Sequence, residues 1–333
     1  MNWGILGAGR IARKFAAALR GSTTAQLAAV GARDLARSQH FAQDLGIPQA
    51  YGDYDAVLAD PTVTAVYIAL PNHLHAPWAV RAAAAGKHVL CEKPLALSAD
   101  EGAAMFAAAQ AAGTWLMEGF MYRFHPQTRT LQDLLAAGAI GRVRLVRVAS
   151  GFMLDRPEDP RWDAAMGGGA LRDVGCYCVN LARMVVGETP ARVSASAEWS
   201  RGGVDQLLAA TIEYPGGALA QISCSFVTPF HQTAQIVGDA GVITLERPFT
   251  LHPDTAATIQ LWRGAHFAPL ETIAFEPTNH YQLEAEGLAA LIAAGHGAHG
   301  LPAMPLVETL DNLATIDALL RSAREARRVE LVN

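Results

Sequence analysis

The sequence predicts an α/β chain of two domains: a parallel sheet built from βαβ units, then an α/β domain with a mostly antiparallel sheet. Three observations predict it. The chain has 333 residues, more than one hydrophobic core usually serves. Its first third alternates short apolar runs with helical stretches, the pattern of βαβ units. From Ala191 to Phe275 it shows short alternating runs, such as Ala209 to Tyr214, Ala218 to Phe226 and Gln235 to Val237. Pro215-Gly216-Gly217 and Gly238-Asp239-Ala240-Gly241 punctuate them as hairpin signals. The expected division is residues 1–120 and 121–333.

Composition narrows the function classes. Apolar residues are 51% and charged residues 17%, which suits an ordered globular protein. The net charge is −5 and no Lys/Arg block stands out, so nucleic acid and anionic membranes are not expected partners. No apolar run reaches the ~20 residues of a membrane span. Met1-Asn2-Trp3-Gly4-Ile5 enters a strand directly, with no basic region before an apolar one, so no signal peptide is expected. Cys91, Cys176, Cys178 and Cys224 lack zinc-ligand or Cys-x-x-Cys spacing and read as buried hydrophobes in a reducing cytoplasm.

Trp3 to Leu6 is the first strand, and Ala12 to Leu19 reads as a helix. Between them runs Gly7-Ala8-Gly9-Arg10-Ile11-Ala12, a G-x-G-x-x-A turn in the context that binds a dinucleotide. Gly7 permits the tight turn, Gly9 lets a pyrophosphate approach the backbone, and Ala12 lets helix and strand pack closely. The helix N-terminus then faces the phosphates. The bland alternative is a tight turn without a ligand.

Leu27 to Gly31 is the second strand. An NAD-binding unit usually ends it with an acid for the ribose 2′-hydroxyl. Here it ends in Ala32-Arg33, with Arg37 four residues on and able to share a face of the next helix. Two guanidiniums suit a 2′-phosphate, so NADP is favoured over NAD. Alternatively Arg37 pairs with Asp34 and Arg33 is solvated.

Ala65 to Leu70 is a third clear strand, followed by Pro71-Asn72-His73-Leu74-His75 and a helix from about Ala76 to Ala85 that closes at Gly86. His73-x-His75 has no third ligand in sight, so a loop beside the cofactor is preferred to a metal site. Lys87 to Cys91 is then a strand that breaks into Glu92-Lys93-Pro94. Charges at the carboxyl end of a buried strand lie where open α/β sheets bind ligands. The other reading is a solvated Glu-Lys pair. Ser98 to Glu101 fits a capping box, its helix ends near Gly113, and Thr114 to Met117 is one more strand.

In the second domain, His125 to Ala137 reads as a helix and Val143 to Val148 as a strand. Asp155 to Gly169 reads as a long loop, and loops of that length are usually functional. Ala170 to Val186 reads as a helix after three glycines. Asp173 and Tyr177 are four apart and share a helical face; alone, that spacing also fits a surface pair. With Lys93 they make a chemical set. A phenol near pKa 10 is a poor base at neutral pH, and a neighbouring ammonium lowers that pKa. Tyr177 can then move a hydroxyl proton as a hydride leaves. Asp173 would orient Lys93 or the substrate hydroxyl, and Asn180 is a weaker hydrogen-bonding candidate. Tyr281-Gln282-Leu283-Glu284 opens a helix that edges the cleft or is an ordinary capped helix start. The last helix, about Leu306 to Ala326, carries no chemical signal.

Five motifs in order resemble the Gfo/Idh/MocA oxidoreductase family. They are Gly7 to Ala12, Ala69 to His75, Cys91 to Leu95, Met117-Glu118-Gly119-Phe120-Met121-Tyr122-Arg123-Phe124-His125-Pro126, and Gly167 to Tyr177. They look most like the branch that holds dimeric dihydrodiol dehydrogenase, NADP-dependent D-xylose dehydrogenase and glucose–fructose oxidoreductase. Many members carry Asp-x-x-x-His where this chain has Asp173-x-x-x-Tyr177, which narrows the branch. The resemblance implies a Rossmann domain, then an α/β domain with a large open-faced sheet through which members often associate as dimers or tetramers.

It also implies Lys93 as a catalytic residue, with Tyr177 and Asp173. The cofactor set it suggests is Gly7, Ala8, Gly9, Arg10, Ile11, Ala32, Arg33, Arg37, Leu70, Pro71, Asn72, His75, Glu92, Lys93, Arg161 and Trp162. Lys93, Arg123, Phe152, Asp173, Tyr177 and Tyr281 are expected on a sugar or cyclic diol. No metal is expected. The implied activity is NADP-dependent oxidation of a secondary alcohol, an aldose anomeric hydroxyl or a trans-diol, or the reverse, by a cytoplasmic homo-oligomer. Redox-assisted glycoside cleavage with a held NAD is one rival, which Arg33 opposes. A non-catalytic NADP sensor is another, which Lys93, Asp173 and Tyr177 oppose.

Overall fold

The computed structural model describes residues 1–251, 254–264, 269–295 and 304–331. They form two compact units, Met1–Phe124 with Asn279–Leu306, and His125–Thr278 with Val307–Asn333.

The first unit holds β1 (Asn2–Leu6), β2 (Gln26–Gly31), β3 (Gln49–Tyr51), β4 (Ala65–Ile68), β5 (His88–Glu92) and β6 (Leu116–Gly119). Their order is β3-β2-β1-β4-β5-β6, and every neighbouring pair is parallel. This is a Rossmann sheet, with its topological switch point between β1 and β4. Its helices are α1 (Arg10–Leu19), α2 (Leu35–Leu45), α3 (Tyr54–Ala59), α4 (His75–Ala84) and α5 (Ala99–Ala111). Strand β4, Ala-Val-Tyr-Ile, is buried throughout, as a parallel strand covered on both faces must be. The Ser98 hydroxyl accepts from the Glu101 N–H and so caps α5, while the Glu101 carboxylate accepts from the Leu97 N–H. Strand β3 has only three residues, too short for an apolar pattern to announce it; the run Ala65–Ile68 is therefore the fourth strand, not the third.

The second unit begins with α6 (Pro126–Ala136), β7 (Val143–Met153), a π turn over Leu171–Gly175 and α7 (Cys176–Val186). It continues with β8 (Arg192–Trp199), β9 (Asp205–Glu213), β10 (Leu219–Ser225), β11 (Val227–Gly238), β12 (Gly241–Glu246), β13 (Ala257–Arg263) and β14 (Leu270–Phe275). The chain then gives α8 (His280–Ala294) to the first unit, and α9 (Leu306–Glu325) with β15 (Val329–Glu330) to the second. The sheet order is β14-β13-β12-β11-β7-β10-β9-β8-β15. Strands β7 and β10 run parallel and the other neighbours antiparallel.

Burial alternates along these strands. Val146, Val148, Ile222 and Cys224 are buried on one face. On the other, Arg147 donates to Gln221 Oε1 at 3.3 Å and to Gln235 Oε1 at 2.9 Å. That open face carries a shallow concavity of about 570 Å³ bordered by Arg147, Ser194, Ala209 and Gln221.

The return of α8 departs from the expected block 121–333. Its cause is apolar: Ala285, Leu288 and Leu291 are buried in one core with Trp3, Phe15, Tyr67 and Phe124. Each buried leucine contributes roughly 1.5–3 kcal/mol. Gly287 sits against Phe124, where a Cβ would stand 2.2 Å from the ring. Among the described residues no helix is long and apolar enough to cross a membrane.

Candidate active site

The first unit supplies a dinucleotide cradle. Gly7 has φ +106°, and a Cβ there would stand 2.6 Å from the Ala69 carbonyl oxygen, so only glycine fits the turn. Gly9 precedes α1, and a Cβ on it would meet nothing within 4 Å, which leaves the approach to the helix N-terminus open. Arg10 and Ile11 lie at the start of α1, beside that opening.

Beyond β2, Ala32 is buried and Arg33 exposed. Asp34 caps α2 by accepting from the Ala36 N–H at 2.9 Å, so Arg33 precedes the helix instead of sharing a helical face with Arg37. Arg37 donates to the Ala8 carbonyl at 3.1 Å, which ties it to the glycine turn. Both guanidiniums act on Tyr54, whose pKa burial raises and these charges lower. Both cations thus act on the same tyrosine near the end of β2.

The next two loops are joined from behind by His75. Its Nδ1 lies 2.9 Å from the Pro94 carbonyl and its Nε2 2.9 Å from the Leu70 carbonyl. The side chain has no exposed surface. This corrects its expected role, because His75 supports the cofactor-side loops and has no face left for a cofactor. Burial lowers its pKa foremost. Leu70, Pro71 and Asn72, in contrast, are partly exposed.

Glu92 is likewise buried. Its Oε1 accepts from the Tyr67 hydroxyl at 2.5 Å and its Oε2 from the Lys93 backbone N–H at 3.3 Å. Lys93 is half-buried, and its peptide to Pro94 is cis. Glu118 accepts from the Leu95 N–H at 2.9 Å and so fixes the other flank of the motif.

Helix α8 adds two groups that sequence reasoning placed elsewhere or missed. Tyr281 comes to lie in the first unit, packed against its core, and burial first, then the charge of Glu92, raises its pKa. Glu284 is 1% exposed, and among the described residues neither of its carboxylate oxygens has a hydrogen-bond partner. Burial, then the charge of Glu92, pushes its pKa well above the carboxylate range.

A carboxyl with a raised folded pKa weakens the fold as pH climbs from the unfolded value toward the folded one. Glu284→Gln is therefore expected to gain in Tm relative to the unsubstituted protein between pH 5 and pH 8. Thermal melts across that range check it, and a constant Tm difference would contradict a protonated Glu284.

The second unit supplies a polar cluster at the π turn. Arg161 donates to both oxygens of Asp159, at 2.8 and 2.9 Å, and to Asp173 Oδ2 at 2.9 Å. Burial opposes the Arg161 charge, but these bonds more than reverse it, and they hold the Asp159 carboxyl below its usual range. Arg161 also stands over the Phe152 ring at 5.3 Å. Phe152 and Trp162 both meet Phe226 edge-on, at 5.4 and 5.3 Å. Tyr177 is 8% exposed and packs on Phe249 at 5.2 Å.

The expected continuous helix from Ala170 is corrected here. Asp173 lies in a π turn and Tyr177 in the following α-helix. Such turns occur frequently at functional sites. Asp173 is thereby joined to Arg161, a partner the spacing alone did not offer. Arg123 is 4% exposed, which leaves it little surface for a substrate.

Residues 1–120 match the oxidoreductase family with an NAD-binding Rossmann fold, Gfo/Idh/MocA, and residues 128–244 match the Gfo/Idh/MocA C-terminal domain. The chain belongs to the Gfo/Idh/MocA oxidoreductase family. It is accordingly an NAD(P)-dependent oxidoreductase. Similar members include a D-xylose 1-dehydrogenase (NADP(+)) from Haloferax volcanii, 41% identical over 99% of this chain and 100% of that protein. The trans-1,2-dihydrobenzene-1,2-diol dehydrogenase of Mus musculus is 38% identical over 74% of this chain and 75% of its own. Among solved structures, an aldose-aldose oxidoreductase from Caulobacter crescentus superimposes with a TM-score of 0.90 at 30% identity, over 99% of each chain. In this Gfo/Idh/MocA protein Glu92-Lys93-Pro94 follows β5 and Tyr177 lies on α7.

Proposed function

We propose that this protein is an NADP-dependent dehydrogenase for a secondary hydroxyl of a sugar, such as the anomeric hydroxyl of an aldose like D-xylose, or of a cyclic trans-diol. The observation that carries the reading is the pairing of Arg33 and Arg37 at the end of β2, with Arg37 tied to the Ala8 carbonyl. A carboxylate there would suit a ribose 2′-hydroxyl; two guanidiniums suit a 2′-phosphate. The likeness to the Haloferax enzyme points the same way.

NADP, held by Gly7, Gly9, Arg33 and Arg37, would supply the hydride acceptor in oxidation and the donor in reduction. Tyr177 takes the proton from the substrate hydroxyl during oxidation and returns it during reduction. Lys93 has the role of tuning that phenol toward the phenolate. Asp173, oriented by Arg161, accepts from a second substrate hydroxyl. Phe152, Arg123 and Trp162 shape the surroundings. Residues 1–120 bind the cofactor, and residues 121–333, less the returning α8, bind substrate. We place the protein in the cytoplasm as a homo-oligomer joined through the open face of the nine-stranded sheet, a state its mass in solution checks.

The deciding experiment follows absorbance at 340 nm with NADP+ or NAD+ against pentoses, hexoses and a trans-dihydrodiol. NADP+ is expected to support turnover of at least one of these well above NAD+. Equal use of both cofactors would remove the role given to Arg33 and Arg37. Turnover of none would remove the substrate class.

A further inference from the structure

The π turn that carries Asp173 is held from outside its own helix. Ala170, which precedes it, caps nothing with its side chain. Its first N–H, that of Leu171, instead donates to Asp205 Oδ2 at 2.6 Å. Asp205 opens β9, is 1% exposed, and lies 34 residues away in sequence.

The fit around this carboxylate is tight. Gly169 has φ +116°, and a Cβ there would stand 2.2 Å from Asp205 Oδ1. The Gly169 N–H donates to the Arg161 carbonyl at 3.0 Å, and the Asp173 N–H donates to the Gly169 carbonyl at 3.1 Å. A Cβ on Gly168 would stand 2.3 Å from the Arg161 carbonyl oxygen. One carboxylate therefore fixes the first turn, and that turn meets the loop whose Arg161 side chain grips Asp173 at 2.9 Å.

We propose that Asp205 is a positioning residue for the reaction: its carboxylate pins the π turn and so sets where Asp173 and, one turn later, Tyr177 stand. This rests on the reading of Tyr177 as the acid–base group. An anion at a helix start is stabilising because the first N–H groups lack partners within the helix. A neutral side chain at this place holds the turn less firmly. Burial pushes the Asp205 pKa up to about 6, against the Leu171 N–H, its own N–H and the charges of Arg172 on the π turn and Arg324 on α9. The Cys224 thiol of β10 faces it as well, and its own pKa rises through burial first and then the Asp205 charge. Between pH 7 and pH 5 the pin loses its charge while the turn's donor stays.

The test compares the unsubstituted enzyme with Asp205→Asn, measuring kcat and KM for carbonyl reduction, in which Tyr177 acts as the protonated phenol and adds no acid limb, from pH 5 to 8, and NADP+ affinity by fluorescence titration. The enzyme is expected to lose kcat on an acid limb near pH 6. Asp205→Asn is expected to show kcat roughly 10- to 10²-fold lower, the scale of a misplaced catalytic group, with no such limb and unchanged NADP+ affinity. A purely structural role would lower yield and Tm without removing the limb. Asp205→Asn with normal kcat and an intact limb overturns the proposal. Should the variant not fold, a flat kcat between pH 5 and 7 in the unsubstituted enzyme overturns it. If Tyr177→Phe is inactive while Asp205→Asn behaves normally, only the pin fails. If Tyr177→Phe is active, the acid–base reading fails first.

Discussion

Tyr177→Phe is expected to lower kcat by at least ~10²-fold, the usual scale for an acid–base group, while NADP+ affinity stays unchanged. The substitution removes one oxygen and keeps the ring. The ring packs on Phe249 at 5.2 Å, so burial and stacking survive and Tm should hold. In the proposed mechanism, what is lost is the group that takes the hydroxyl proton as the hydride departs. A ~10²-fold loss corresponds to ~2.7 kcal/mol of transition-state stabilisation, more than a neutral surface hydrogen bond supplies. Steady-state kinetics with cofactor titration separate the two outcomes. Near-full kcat in the variant would remove Tyr177 from the mechanism and leave hydride transfer without its proton acceptor.

Lys93→Met should cost at least as much at neutral pH, and its pH profile carries the stronger information. In the proposed mechanism the ammonium lowers the Tyr177 phenol from its usual pKa near 10. Without it, oxidation requires a phenolate that neutral solution barely populates. The rate of alcohol oxidation in the variant should therefore rise toward pH 10, whereas that of the unsubstituted enzyme should level off earlier. Methionine keeps much of the length and apolar stem of lysine, and the Lys93 backbone N–H remains on Glu92 Oε2. The loop should thus stay in place, and a circular dichroism melt checks that. A variant whose profile is merely scaled down, with the same midpoint, would mean that Lys93 binds substrate without tuning the phenol.

Much of the N-terminal half was legible because its signals are local. The glycine turn, the fully buried β4 and the capped α5 each depend on residues within a few positions of one another, and all three form. The family motifs added the order of the residues in the proposed mechanism. Errors arose where the signal was short or depended on contacts. Strand β3 is three residues long. Arg33 falls just outside α2 because Asp34, not Arg33, has the side chain that caps it. The π turn at Leu171–Gly175 has no propensity of its own; it exists where Gly168, Gly169 and Asp205 meet.

The sequence by itself determined the fold class and, through its motifs, the resemblance to the family, because periodicity and motif order run along the chain; it also put forward Lys93, Asp173 and Tyr177 for the proposed mechanism. Only the tertiary structure decided that α8 returns to the Rossmann unit, that His75 is sealed between two carbonyls, and that Asp173 is gripped by Arg161 on a turn pinned by Asp205. Those outcomes depend on burial and on hydrogen bonds between residues distant in sequence, and a buried carboxylate such as Asp205 looks like any surface acid until its surroundings are assembled.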